Sequence, residues 1–309
     1  MEQKSRKSIV ELLDWCTANL GATTTIVSDN SKEHGGHESS TYRLRAAERF
    51  YYLKIHQTRL HWEQEVHAYE RWAPALGGLA PQLIALHEER PLALLLSERP
   101  GQVLENVHLT NAQERSVWRT AGELLIALHE LEVGDCFGPC GRDGTCRERW
   151  PQNGAGYMVQ KLEQQIEQAL QGQYIDAHEL KTLQAVLAMT PAFAKERPRP
   201  CHRDYCAANW LVNKEGILSG IIDFEFAYWD VRAADFARDP NWTWMHHPDL
   251  LIAFFEGYGR SLTTAEETQL FVARADYALG AILWGHDHQF YGFEQEGHDA
   301  LAYLAQLLR

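Results

Sequence analysis

Cys201-His202-Arg203-Asp204-Tyr205-Cys206-Ala207-Ala208-Asn209-Trp210-Leu211-Val212-Asn213, followed shortly by Ile221-Ile222-Asp223-Phe224-Glu225, is the stretch on which the reading of this chain turns. The first part reads as a tight polar loop entering a short apolar strand. Gly216 and Gly220 bracket Ile217-Leu218, and Ile221-Ile222 then lead straight into Asp223. An apolar run, a glycine break and a second apolar run signal a hairpin. Such a hairpin brings Asn209 and Asp223, which flank it, close together. Asp204 can then accept a proton from an attacking hydroxyl. Asn209 and Asp223 offer hard oxygen atoms suited to Mg²⁺ on nucleotide phosphates.

The spacing carries the specificity. His-Arg-Asp, four residues and then Asn matches the catalytic-loop pattern of kinases, and Asp-Phe follows one hairpin later, as in their metal-binding element. A lone His-x-Asp would be an ordinary surface turn; two linked elements in this order are much harder to obtain by chance.

Composition sets the outer limits. The chain has 309 residues, 45% hydrophobic and 23% charged, enough for one large domain or two lobes with an ample core. Its formal charge of −13 argues against a nucleic-acid backbone or an anionic membrane as main partner, and is permissive for a cationic substrate. No apolar run reaches membrane-spanning length, and the N-terminal segment is amphipathic rather than a signal peptide, so a cytoplasmic protein is expected. Oligomeric state is not legible. Cys136, Cys140 and Cys146 lie in a Gly-rich loop without a C-x-x-C pair; for a cytosolic chain neither zinc nor a disulfide is expected. Cys201 and Cys206 read as small buried thiols.

Upstream, Ser8 to Leu20 has helical spacing of apolar residues, and strands are predicted at Thr23–Val27, Thr41–Leu44 and Arg49–Ile55. The intervening Gly35-Gly36 segment lies where a phosphate-covering loop belongs, without the G-x-G-x-x-G pattern. Lys54, in the strand Phe50–Ile55, is the candidate to neutralise nucleotide phosphates. A helix over Leu60–Trp72 offers Glu65 as its ion-pair partner, with Glu63 in reserve, because Glu65 precedes the apolar positions Val66, Tyr69 and Trp72 and can face the sheet. Strands Gln82–Ala85 and Leu92–Leu96 lead into Ser97-Glu98-Arg99-Pro100-Gly101, an extended linker and natural lobe boundary. Ser97 and Arg99 are nominated by position for nucleotide contact. Helices follow at Asn111–Leu131, where His129 reads as a packed histidine, and at Tyr157–Leu170 and Ala177–Met189. Others are expected at Asp230–Arg238, Pro248–Tyr258, Thr264–His288 and His298–Leu308.

Together these residues resemble the aminoglycoside phosphotransferase and choline kinase-like group within the protein-kinase-like fold, over about Val27 to Asp239. The resemblance implies an α+β, two-lobed fold. A small antiparallel-sheet N-lobe (1–100) would bind nucleotide, and a larger, mostly helical C-lobe (101–309) would carry the catalytic loop. It implies Asp204 as catalytic base, Asn209 and Asp223 as Mg²⁺ ligands, Lys54 on the phosphates of ATP (GTP left open), and His202 and Asp235 as supports of the catalytic loop. The group usually has Gly where this chain has Arg203. Ala-Pro-Glu is absent, and little chain separates Asp223 from Asp230, leaving little room for a peptide-docking segment of the protein-kinase kind. Glu225 stands where a second acid is common in the group. The expected activity is transfer of phosphate to a hydroxyl of a small, cationic molecule. An aminoglycoside or other antibiotic is the first candidate; choline, homoserine or a sugar is the alternative, as is a nucleotide-binding pseudokinase scaffold. Trp242-Thr243-Trp244, Tyr277, Trp284 and Asp287 are nominated for an aromatic and acidic acceptor wall.

Overall fold

A computed structural model describes residues 2–29, 39–237 and 243–309; the side chains of 2–8, 237, 243 and 244 fall outside the description. The N-terminal lobe is an antiparallel sheet in the order β1-β2-β3-β5-β4, formed by β1 (Thr24–Asp29), β2 (Ser39–Ala46), β3 (Arg49–His56), β4 (Leu83–His87) and β5 (Leu92–Ser97). Helix α1 (Glu2–Leu20) covers one face and α2 (Arg59–His67) the other. The run Leu92-Ala93-Leu94-Leu95-Leu96 in β5 shows why both faces need a helix. Ala93 and Leu95 pack with Leu12 and Cys16 of α1, while Leu92, Leu94 and Leu96 join Trp62, Val66 and Tyr69 on the α2 side. Side chains alternate along a strand, so an unbroken apolar run demands two covers. Each fully buried leucine there contributes about 1.5–3 kcal/mol.

Thr58 starts α2, its hydroxyl accepting from the backbone N–H of His61. The helix continues as a single π turn over Ala68–Trp72. The linker after β5 is stitched to both sides: Arg43 pairs with Glu98 at 2.8 Å, and Arg99 donates to the Ser219 carbonyl at 3.1 Å.

Beyond it, β6 (Gln102–Val103), β8 (Trp210–Val212) and β9 (Leu218–Ile221) form a three-stranded sheet, and β7 (Arg199–Cys201) pairs with β10 (Tyr228–Asp230). The remainder is helical: α3 (Asn111–His129), α4 (Gly154–Gly172), α5 (Ala177–Leu187), α6 (Ala234–Ala237), α7 (Thr243–His246), α8 (Pro248–Gly257), α9 (Thr264–Asp287) and α10 (Tyr291–Leu307). A second core lies among α4, α5, α9 and α10. Among the described residues no helix is long and apolar enough to cross a membrane.

The hairpin after Asn209 forms as its sequence predicts. Three expectations are corrected. Asp230 ends strand β10 instead of opening a helix, because its backbone pairs with Arg199. Helix α10 begins at Tyr291, well before His298. Cys136 and Cys146 form a disulfide, with Cα atoms 6.2 Å apart, because the Gly-rich loop doubles back on itself; Cys140 stays free and buried. The Gly35-Gly36 loop and Trp242 lie outside the described residues.

Candidate active site

Strand β7 delivers the chain to His202-Arg203-Asp204, and the turn there is pinned from below by Asp235 at the start of α6. Its carboxylate accepts from the backbone N–H groups of His202 (2.9 Å) and Arg203, and from His129 Nε2 at 3.0 Å. His129 is fully buried and also bonds the Tyr258 hydroxyl, so it is a packed histidine, as its helical position predicts. The imidazole of His202 accepts from the Asp204 backbone N–H at Nδ1 (3.3 Å) and donates from Nε2 to the Ile222 carbonyl (3.0 Å). Those two partners assign the neutral Nε2–H tautomer. One side chain thereby joins the loop bearing Asp204 to the strand end preceding Asp223.

Arg203 and Asp223 both adopt left-handed backbone, with φ of +66° and +70°. Non-glycine residues rarely do so, and such strain collects where function dictates geometry. The turn at 203 suits glycine. Arginine is held there by its side chain, which pairs with buried Asp230 at 2.8 Å and lies over the Tyr228 ring at 4.0 Å. Burial works to raise the Asp230 carboxyl, but the Lys161 and Arg203 cations outweigh it and hold it below its usual range.

A short turn, Ala207–Asn209, brings Asn209 back beneath the loop. Its side-chain N–H groups donate to the Asp204 carboxylate (Oδ2, 2.8 Å) and carbonyl (2.9 Å). This orientation leaves the amide oxygen of Asn209 as an available acceptor. Asp223, across the hairpin, reaches Lys54 Nζ with Oδ1 at 2.5 Å, and its side chain is one-third exposed.

Lys54 is nearly buried and meets two further carboxylates, Glu65 at 3.0 Å and Glu225 at 3.1 Å. Burial alone would lower its pKa; Asp223, Glu225 and Glu65 together raise it well above the ordinary lysine value. Glu65 is fully buried. Desolvation pushes its carboxyl up, yet Lys54 and a hydrogen bond from His56 bring it down to about 2. The Nε2 of His56 lies 2.8 Å from Glu65 Oε2, so two cation-capable groups from one face of β3 grip both oxygens of a single α2 carboxylate. Burial dominates at Glu225, where the neighbouring Asp223 and Glu65 add to it against Lys54, and its pKa rises to about 7.

The donor set around the cleft fits a hard divalent cation. Asn209 presents an amide oxygen, Asp223 a partly exposed carboxylate, and oxygen ligands of that kind are what Mg²⁺ prefers. Glu63, the reserve partner for Lys54, faces away and pairs with Arg147. Ser97 and Arg99 sit on the linker with polar atoms engaged locally: the Ser97 hydroxyl accepts from the Gln82 N–H, and Arg99 holds Ser219.

The nominated acceptor wall is only partly assembled. Trp284 stacks on His288 at 4.2 Å and meets Phe290 and Phe293 edge-on; Tyr277 also meets Phe293. The His288 stack lies within the end of α9, and the phenylalanine contacts pack α9 against the start of α10. Asp287 is exposed at the end of α9, and the Trp244 side chain is outside the description. Sequence reasoning missed His56 and Asp230. The signal for His56 was its placement two residues after Lys54, on the same side of a strand.

Comparison with known proteins agrees with this architecture. No curated protein sequence matches the chain. Among solved structures, the ternary complex of a thermostable mutant of aminoglycoside phosphotransferase APH(4)-Ia with AMP-PNP and hygromycin B superimposes with a TM-score of 0.73. It is 14% identical, over 95% of this chain and 97% of that one. The GDP complex of aminoglycoside 2'-phosphotransferase-IIIa gives 0.67 at 14% identity, over 93% of each chain. The gentamicin complex of APH(2")-IIa gives 0.64 at 16%, over 94% of this chain and 95% of that one. At such identities the likeness establishes the protein-kinase-like fold. The sequence profile of the phosphotransferase enzyme family matches residues 32–271, most of the chain including every residue of the Lys54–Asp204–Asp223 cleft. The chain belongs to the phosphotransferase enzyme family and is a phosphotransferase.

Proposed function

We propose that the protein transfers the γ-phosphate of ATP to a hydroxyl of a small, cationic acceptor, an aminoglycoside or related antibiotic being the first candidate. Residues 1–100 serve as the nucleotide-binding lobe and 101–309 as the catalytic and acceptor-binding lobe. The observation that carries this reading is the convergence at one cleft of Lys54, paired to Glu65, with Asp223 and the hydrogen-bonded pair Asp204–Asn209.

Each residue has a physical task. Lys54, kept protonated by its carboxylates, supplies fixed positive charge for the phosphates. Asp223 and the Asn209 oxygen would hold Mg²⁺, which would supply neutralising charge for the nucleotide phosphates. Asp204 accepts the hydroxyl proton and fixes the direction of attack; the Asn209 amide aligns its carboxylate. Positioning and charge compensation supply most of the rate in such chemistry. Glu225 lies within reach of the same charge cluster and adjusts its net charge.

A small acceptor is favoured over a protein because only residues 224–227 separate Asp223 from strand β10, too little chain to build a peptide platform. The chain's charge of −13 is permissive for a polycation. The test is an ADP-release assay with Mg²⁺, run with ATP and with GTP against aminoglycosides, choline, homoserine and sugars. Turnover with none of these hydroxyl compounds would contradict the proposal.

A further inference from the structure

The loop between α3 and α4 is closed into a ring by the Cys136–Cys146 disulfide and reaches across to the helix that carries Glu65. Its contacts fall on one stripe of that helix. Arg147 pairs with Glu63 at 2.5 Å, and the Arg142 carbonyl meets His67 Nδ1 at 2.9 Å. The Arg142 guanidinium forks onto both oxygens of Glu70 at 2.6 and 3.2 Å and extends to Glu88 at 2.9 Å. Positions 63, 67 and 70 follow helical spacing, while Glu65 points to the opposite side, toward Lys54 and His56. The helix is held from both sides.

The other end of the ring is fixed to the catalytic loop's own support. The Gly138 N–H donates to the Trp229 carbonyl (2.8 Å), and the Trp229 indole donates to the Gly144 carbonyl (2.9 Å). Trp229 lies in β10, paired in register with Pro200 of β7, the strand that leads into His202. Close approach is built in: Gly144 has φ +79°, and a Cβ there would sit 2.8 Å from His67 Cε1. A continuous set of contacts therefore runs from β7 through Trp229 and the ring to α2.

Resting on the nucleotide-binding reading above, we propose that this ring is a positioning element for phosphoryl transfer, and that Arg142 and Arg147 are positioning residues which keep Glu65 on Lys54. Individually, partly exposed ion pairs contribute little to stability. Their effect here is directional, because they fix the rotation and the height of a short helix whose inward carboxylate must meet one ammonium.

The test measures binding of Mg²⁺·AMP-PNP by calorimetric titration to the full chain. Arg142→Ala combined with Arg147→Ala weakens affinity about 5-fold or more, the scale on which packed elements couple sites. Lysine at both positions restores part of it. Arg260→Ala removes a comparably exposed pair with Glu266, remote from α2, and leaves affinity unchanged. Cys136→Ser with Cys146→Ser opens the ring and weakens binding in the same direction; should that variant fail to fold, the arginine variants decide alone. Wild-type affinity in the folded double-alanine variant overturns the positioning role while leaving the nucleotide-binding reading in place. Absence of binding by the wild-type protein overturns both.

Discussion

The side-chain amide of Asn209 donates to Oδ2 of Asp204 at 2.8 Å, so the residue that offers an oxygen to a cation also aims the carboxylate that receives the proton. Coupling two tasks in one amide makes their loss inseparable. Asp204→Asn should leave nucleotide affinity close to wild type and lower turnover by about 10²-fold or more, the usual scale of acid–base contributions. Single-turnover kinetics with the best acceptor checks this; undiminished turnover would remove Asp204 from the role.

Asp223→Ala takes away an oxygen ligand and one of the three anions around Lys54. Ligand binding at 100 times Kd stabilises a fold by about 2.7 kcal/mol, and that Mg²⁺-dependent gain should disappear in the variant. Thermal unfolding with and without Mg²⁺·ATP is the measurement. An unchanged shift would exclude Asp223 as a ligand.

The Glu65 carboxyl is depressed to about 2 in the folded chain, against an ordinary value near 4.5. A depressed carboxylate contributes stability above its unfolded pKa and loses it as pH falls toward the folded one. The contribution is therefore complete at neutral pH and fades between about pH 4.5 and pH 2. Glu65→Gln should cost roughly 2–3 kcal/mol at pH 7, with the gap to wild type narrowing by pH 3. Urea titrations of both proteins at the two pH values test it; a constant gap would contradict the linkage.

Arg203 sets backbone strain against a buried ion pair. Replacing it with glycine relieves φ +66° but strips Asp230 of its guanidinium, leaving Lys161 3.9 Å away. Loss of one partner of a buried pair costs about 3–5 kcal/mol, more than the roughly 1–3 kcal/mol of strain recovered. Arg203→Gly should thus be less stable than wild type, yet more stable than Arg203→Ala by about 1 kcal/mol. Chemical denaturation of the three proteins gives the order; alanine matching glycine would mean the turn relaxes.

What the sequence made legible was local. The hairpin of β8 and β9 follows from apolar runs and glycine breaks, and α2 with the π turn that continues it from the apolar positions Val66, Tyr69 and Trp72. Glu65 is preferred to Glu63 because it precedes the apolar positions Val66 and Tyr69 and can face the sheet. Glu63 reads as a reserve partner for Lys54, when in fact Arg147 pairs with it, and Glu70 is held by Arg142. That loop lies some seventy residues downstream, and no periodicity in α2 announces it. The Cys136–Cys146 bond was missed because the reading leaned on compartment, whereas pairing depends on how the loop folds back. Asp230 reads only as a helix start because its importance comes from Arg203 and Lys161, partners that only the folded chain assembles.

Lys54 surrounded by Glu65, Asp223 and Glu225 gives the cleft more negative than positive charge before any nucleotide arrives. A bare polyanion approaching it meets repulsion at short range, whereas the same molecule travelling with its counter-cation is admitted. Uncomplexed nucleotide should then be a poor competitor even in excess, and the protein would discriminate by the charge its ligand carries as much as by its shape.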